Sequence, residues 1–191
     1  MKLDADKPNI LVPKLNLGTR ETRNLVLIGM PGVGKSTVGV LLAKALSRSF
    51  IDTDVHIQSQ EGRRLQEIID MDGLNFFLDI EARHVLSLDC RDHVIATGGS
   101  IIYSAAAIGH LKASGIAVYM RLPLPQLIDR LTNLDSRGVV MERGQTVESL
   151  FEERQPFYEC YADITVDCQG LRHEQVVARI IEEVEQWLGS T

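Results

Sequence analysis

From Asn24 onward, short apolar runs alternate with stretches whose apolar positions recur at helical spacing. NLVLI, HVIA, IAVYM and ITV are the clearest strands, and SFIDT is a weaker one. Strands separated by amphipathic helices predict an α/β fold with a mostly parallel sheet. After the first strand, Val38, Leu41, Leu42, Ala45 and Leu46 fall at i, i+3, i+4, i+7 and i+8, one apolar face to pack on that sheet. A broader stripe of Val176, Val177, Ile180, Ile181, Val184, Trp187 and Leu188 predicts the last helix, with Trp187 as a core anchor. Residues 1–23 are polar, hold two of the six prolines and predict an N-terminal arm, which leaves 24–191 as the folded domain. The weakly periodic, Gly-containing stretch at about 132–146 predicts a lid between two helices.

A chain of 191 residues, 45% hydrophobic, can bury one full core, so a single domain is expected. The formal charge of −6 repels polyanions and no basic tract offsets it, which argues against a nucleic-acid partner. Cys90, Cys160 and Cys168 lack metal-type spacing and read as reduced thiols. The N-terminal residues have no sustained apolar core of a signal peptide, and no run approaches the ~18 apolar residues of a membrane span. A cytoplasmic monomer acting on a small molecule is the expectation.

An acidic protein that binds an anion must do so with a local cluster of donors. Gly29-Met30-Pro31-Gly32-Val33-Gly34-Lys35-Ser36 meets every fixed position of G-x-x-x-x-G-K followed by Ser or Thr, with a strand before it and a helix after it. Gly29, Gly32 and Gly34, with Val33 between the last two, let backbone N–H groups turn inward around phosphate oxygens, and the helix N-terminus that continues through Thr37 adds partial positive charge. Lys35, expected to be an exposed loop residue, would reach the β- and γ-phosphates of ATP, and Ser36 would supply a ligand to Mg²⁺.

The strand Val94-Ile95-Ala96 runs into Thr97-Gly98-Gly99 rather than an Asp. The acidic residues stand instead at Asp52 and Asp54, where an extended backbone would turn both carboxylates to one side. One could serve Mg²⁺ and the other a substrate hydroxyl; alternatively, Asp54 caps the following helix.

Taken in order, GMPGVGKST, FIDTD, VIATGG, an Arg before a lid, and RQPFY followed by AD resemble the shikimate kinase family from about Asn24 to the last helix. The resemblance implies a P-loop three-layer αβα sandwich with a five-stranded parallel sheet and a lid, and ATP- and Mg²⁺-dependent phosphorylation of a shikimate hydroxyl. By the same resemblance Lys35, Asp54 and Arg137 are catalytic, Ser36 and Asp52 lie at the metal, and Arg130 lies against adenine. Gly98 and Gly99 would offer backbone N–H groups to the substrate, and Arg154 would hold its carboxylate.

Where the family carries a second carboxylate-binding arginine, in the run Phe76-Phe77-Leu78-Asp79-Ile80-Glu81, this chain has Leu78. Ser100 replaces a third glycine, and the lid opens Arg137-Gly138-Val139-Val140. Leu78 also fits an apolar helical face with Leu74, Phe77 and Val85, and Arg63 or Arg64 could supply the missing cation. These changes lie on the acceptor side and keep two alternatives open: a relative acting on another polyol or cyclitol, and an ATP-binding regulatory module without kinase activity.

Overall fold

The structure, a computed structural model, describes residues 23–132 and 144–190. Strand β1 (Asn24–Ile28) leads through the Gly-rich loop into α1 (Lys35–Leu46) and β2 (Ser49–Asp52). Three helices follow, α2 (Thr53–Glu61), α3 (Leu65–Asp72) and α4 (Leu74–Leu86), before β3 (His93–Ala96) and a 3-10 turn at Ile101–Tyr103. The chain continues with α5 (Ala105–Ser114), β4 (Gly115–Arg121), α6 (Leu124–Thr132), α7 (Val147–Tyr161), β5 (Ile164–Asp167) and α8 (His173–Ser190). The five strands are parallel in the order β2-β3-β1-β4-β5, the α/β sheet that the alternating pattern predicts.

Every residue of β1 is buried, as expected for the central strand of a sheet covered on both faces. Val38 and Leu42 of α1 and Val176, Val177, Ile180, Ile181 and Val184 of α8 join it in the main core. Leu41, Ala45, Leu46, Trp187 and Leu188 pack at its margin, so Trp187 is a boundary residue with the Arg23 guanidinium 5.8 Å above its ring. A second cluster, Ile57, Leu65, Ile68, Phe77 and Ile80, joins α2, α3 and α4 into a separate flank. The expected face of Leu74, Phe77, Leu78 and Val85 divides between the two: Val85 belongs to the main core and the others to the flank.

Parallel register brings the C-terminal ends of β1, β2 and β3 level, with Leu27 opposite Ala96 and Asp52 opposite Ala96. The Gly-rich loop, the Asp52–Asp54 turn and the Thr97–Gly99 ribbon therefore leave the sheet side by side at the end where open α/β sheets bind ligands. Of the expected arm, only Arg23 is among the described residues, and of the expected lid residues 133–143, with Arg137, lie outside them. No helix of the described residues is long and apolar enough to cross a membrane.

Candidate active site

The loop after β1 closes around a lysine. Gly34, at φ 104°, is the left-handed N-cap that lets the backbone swing from the loop into α1, a conformation costly for any residue with a Cβ. Lys35 opens the helix. It is 8% exposed, against the expectation of an exposed loop residue, because its side chain folds back into the loop. Its Nζ donates to Gly29 O at 2.7 Å and Met30 O at 3.0 Å. An ammonium has three donors, so this arrangement leaves one for a phosphate. Burial lowers its pKa to about 8, with Arg154 pushing the same way and Asp54 and Asp52 opposing.

Asp52 and Asp54 do not sit on one extended face, because β2 ends at Asp52 and α2 starts at Thr53. Asp52, rather than Asp54, is the cap: its Oδ1 accepts from the N–H groups of Asp54 at 3.0 Å and Val55 at 3.2 Å. The helix turn aims Asp54 elsewhere. Burial, with the negative charge of Asp52 adding to it and Lys35 opposing, raises the Asp54 carboxyl to about 6.

Gly98 is where the ribbon after β3 meets these acids. A Cβ there would overlap Glu81 Oε1 and stand 2.7 Å from Asp54 Oδ1, so the two carboxyl groups crowd a bare backbone. Its N–H donates to Thr53 Oγ1 at 2.9 Å, so the hydrogen bond expected to serve a substrate is spent on α2. Gly99 is bare for a different reason: a Cβ there would lie 3.0 Å from Arg154 Nη1 and 3.0 Å from Pro31 Cδ at the tip of the phosphate loop. The acceptor-side ribbon thus abuts the phosphate loop directly, with the guanidinium beside both.

Arg154 is 1% exposed although it lies mid-helix in α7. Its Nε donates to Tyr103 Oη at 3.1 Å, and its guanidinium carbon stacks 5.2 Å from the Tyr103 ring centre. Tyr103 Oη in turn donates to Glu153 Oε1 at 2.5 Å, and Tyr158 Oη donates to Gly99 O at 2.7 Å. Such coupled bonds fix a buried cation in one orientation. Glu81, also 1% exposed, accepts from Ser100 Oγ at 2.6 Å through Oε2. Burial outweighs that bond and the nearby cations, so its carboxyl is raised to about 8.

On the opposite flank Arg130 Nη1 donates to Val33 O at 3.0 Å, and Gly32 O lies at 3.4 Å. His173 Nε2 lies 3.4 Å from the position of a Gly34 Cβ in the same loop. Arg63 pairs with Asp72 of α3 at 2.7 Å, and the backbone N–H of Arg64 donates to Glu67 Oε2; neither residue lines the cavity beside Leu78. Leu78 is half-buried and lines a cavity with Glu81, Ser100 and Tyr103.

Sequence reasoning therefore places Lys35, Ser36, Asp52, Asp54, Gly98, Gly99, Leu78, Arg130 and Arg154 around one end of the sheet, and the fold brings them there. It passes over Thr53, Tyr103, Tyr158 and His173: Thr53 and Tyr158 lie within FIDTD and RQPFY but were given no role, and the contacts of Thr53, Tyr103 and Tyr158 reach 45 to 59 residues along the chain, while His173 approaches Gly34. For Glu81 one signal was available: a carboxylate on the apolar face of a helix, at i+4 from Phe77.

A phosphate loop at the end of the central strand, faced by buried carboxyl groups and a fixed arginine, defines a P-loop phosphotransferase of small molecules. The family model described as "Shikimate kinase" matches residues 31–185. The chain belongs to the shikimate kinase family, and is a kinase. It is 31% identical over 163 residues to the shikimate kinase of Persephonella marina, covering 85% of this chain and 99% of that one. To the shikimate kinase of Pseudoalteromonas atlantica it is 35% identical over 170 residues, covering 87% and 99%. The solved shikimate kinase from Acinetobacter baumannii in complex with shikimate superposes with a TM-score of 0.78 at 28% identity, over 86% of this chain and 93% of that one. The Aquifex aeolicus enzyme gives 0.72 at 31% identity, over 85% and 96%.

Proposed function

We propose that this chain transfers the γ-phosphoryl group of ATP to a ring hydroxyl of shikimate, forming 3-phosphoshikimate for aromatic amino acid biosynthesis in the cytoplasm. The observation that supports the reading is the meeting of Pro31, Gly99 and Arg154, which sets a buried guanidinium beside the phosphate loop with Asp54 across Gly98. In the transfer the hydroxyl oxygen bonds to the γ-phosphorus, the bond from that phosphorus to the β–γ bridging oxygen breaks, and ADP leaves. Asp54 orients the hydroxyl and takes its proton. Lys35 neutralises charge on the transferring group, and Arg137, which lies outside the described residues, would do the same by the family resemblance. Arg130 borders the adenine and Arg154 anchors the acceptor.

Mg²⁺ fits the donor set, since Ser36 and Asp52 offer hard oxygen ligands and the α2 cap occupies only Oδ1 of Asp52. When bound with the nucleotide it supplies positive charge to the β- and γ-phosphates. Ser36 and Asp52 would hold it.

The direct test is ADP release from ATP with shikimate as acceptor, and identification of the product as the 3-phosphate. ATP turnover that shikimate does not stimulate would overturn the assignment. The Asp54 carboxyl, raised to about 6, must be ionised to accept a proton. Acceptor kcat/KM should therefore climb as pH rises through about 6, by close to tenfold per unit below it, and level off above. The sign for stability is opposite, because a raised pKa means that the folded state holds its proton longer. Ionising Asp54 and Glu81 as pH rises from about 4 toward 8 removes stability. A pH–rate profile without an acid limb near 6 would remove Asp54 as proton acceptor.

A further inference from the structure

The ribbon that leaves β3, Thr97 to Ser100, is tied at each residue by a side-chain hydroxyl, and each bond runs to a different element around the site. Thr97 Oγ1 donates to Leu27 O of β1 at 2.9 Å, and the Thr97 N–H donates to the same carbonyl at 3.1 Å. Gly98 N–H donates to Thr53 Oγ1 of α2 at 2.9 Å. Gly99 O accepts from Tyr158 Oη of α7 at 2.7 Å, and Ser100 Oγ donates to Glu81 Oε2 of α4 at 2.6 Å. Sheet pairing ends at Ala96, so past that point side chains set the path of the backbone.

Among these hydroxyls, that of Thr53 stands nearest the chemistry. Thr53 is buried, opens α2 and lies in the chain between the Asp52 cap and Asp54. It and Asp54 meet the same glycine, Thr53 by a hydrogen bond to the Gly98 N–H and Asp54 by the close approach of Oδ1 to the Gly98 backbone. A rotation or slide of the first turn of α2 that moved Asp54 would therefore stretch the Thr53 bond. Because a β-branched side chain is stiff at χ1, that bond orients the backbone of Thr53 as well as its hydroxyl. Thr97 carries the restraint onward, since Leu27 stands two residues before Gly29, whose carbonyl accepts from Lys35 Nζ. We propose that Thr53 is a positioning residue for phosphoryl transfer, which through Gly98 and Thr97 fixes Asp54 relative to the phosphate loop and Lys35. This rests on the kinase reading above and deepens it. Thr53 acts through Asp54 and contributes no group to the reacting atoms.

The test uses the full chain with ATP, Mg²⁺ and shikimate and compares two substitutions. Thr53→Val keeps the shape of the side chain and removes the acceptor of the Gly98 N–H, whereas Thr53→Ser keeps the hydroxyl. Since a misplacement of about 1 Å costs on the order of 100-fold, Thr53→Val should lower kcat by about 30-fold, with ATP affinity changed less than about twofold. Thr53→Ser should return kcat to within about threefold of wild type. Ile68→Ala controls for stability: it opens the buried cluster of α2, α3 and α4 away from the ribbon, and should lower the thermal midpoint while kcat stays within about threefold. If Thr53→Val does not fold, Thr97→Val replaces it; this removes the other hydroxyl of the path, retains the backbone bond to Leu27 O, and should lower kcat about tenfold with the same sparing of ATP affinity. Wild-type kcat in the folded valine variant, a serine variant as impaired as valine, an equal loss of ATP affinity, or a fall in kcat that Ile68→Ala reproduces would each overturn the positioning role and leave the kinase reading standing. A wild-type chain that binds ATP but releases no ADP in response to shikimate would overturn the kinase reading, and the positioning role with it.

Discussion

Lys35→Ala abolishes phosphoryl transfer to every acceptor, a loss of about a thousandfold or ~4 kcal/mol of transition-state stabilisation. The ammonium sits in the cradle of the loop with two donors on Gly29 O and Met30 O and one for phosphate, so no neighbour replaces its charge. Arg154 is nearby, but its guanidinium is stacked on Tyr103. The thermal midpoint should stay within a few degrees of wild type, because the substitution also removes a charge whose burial is unfavourable, as its lowered pKa records. Steady-state kinetics and a thermal scan decide it. Activity within a factor of about ten of wild type would mean that the phosphate loop does not carry the reaction.

Gly98→Ala is the second large effect. A methyl group there cannot coexist with Glu81 Oε1, and it reaches the Asp54 carboxyl as well, so one or both acids must turn away. Gly98 cannot retreat without breaking its bond to Thr53, which ties the ribbon to the start of α2. The expected outcome is a fall of about 100-fold in acceptor kcat/KM, with stability lowered by ~2 kcal/mol from overpacking. ATP affinity, measured by titration, should change less than twofold, because the loop around Lys35 is built on β1 and α1. A variant that keeps wild-type acceptor kinetics would show that the substrate hydroxyl does not lie between the two carboxyl groups. Shortening Glu81 to Asp in the same variant should recover part of the loss if Glu81 is the clashing partner.

The contrast between these two positions follows from how each residue is specified. Lys35 is fixed by neighbours in sequence: a strand, a turn that only glycine allows at Gly34, and a helix start. The apolar runs likewise determined all five strands, the burial of β1 and the cores of α1 and α8, because burial on a parallel sheet is written in the period of hydrophobic residues. Local pattern also placed Asp52 and Asp54 at a strand end, yet it missed where the strand stops. One residue of helix at Thr53 makes Asp52 the cap and turns Asp54 toward Gly98.

What only the tertiary structure decided is the acceptor side, since its contacts join residues that no period or motif links. Arg154 is held by Tyr103 from 51 positions earlier, and Glu81 by Ser100 from 19 positions later. The sequence showed Leu78 in place of an arginine and left packing and substrate contact as competing roles. The fold packs it, half-buried, against the flank of α2, α3 and α4 and also sets it in the lining of a cavity that carries hydroxyls and carboxyls but no cation. Whether a side chain meets solvent, core or ligand depends on what the rest of the chain brings opposite it. For Leu78 that is Ser100 and Tyr103, which the turn after β3 delivers.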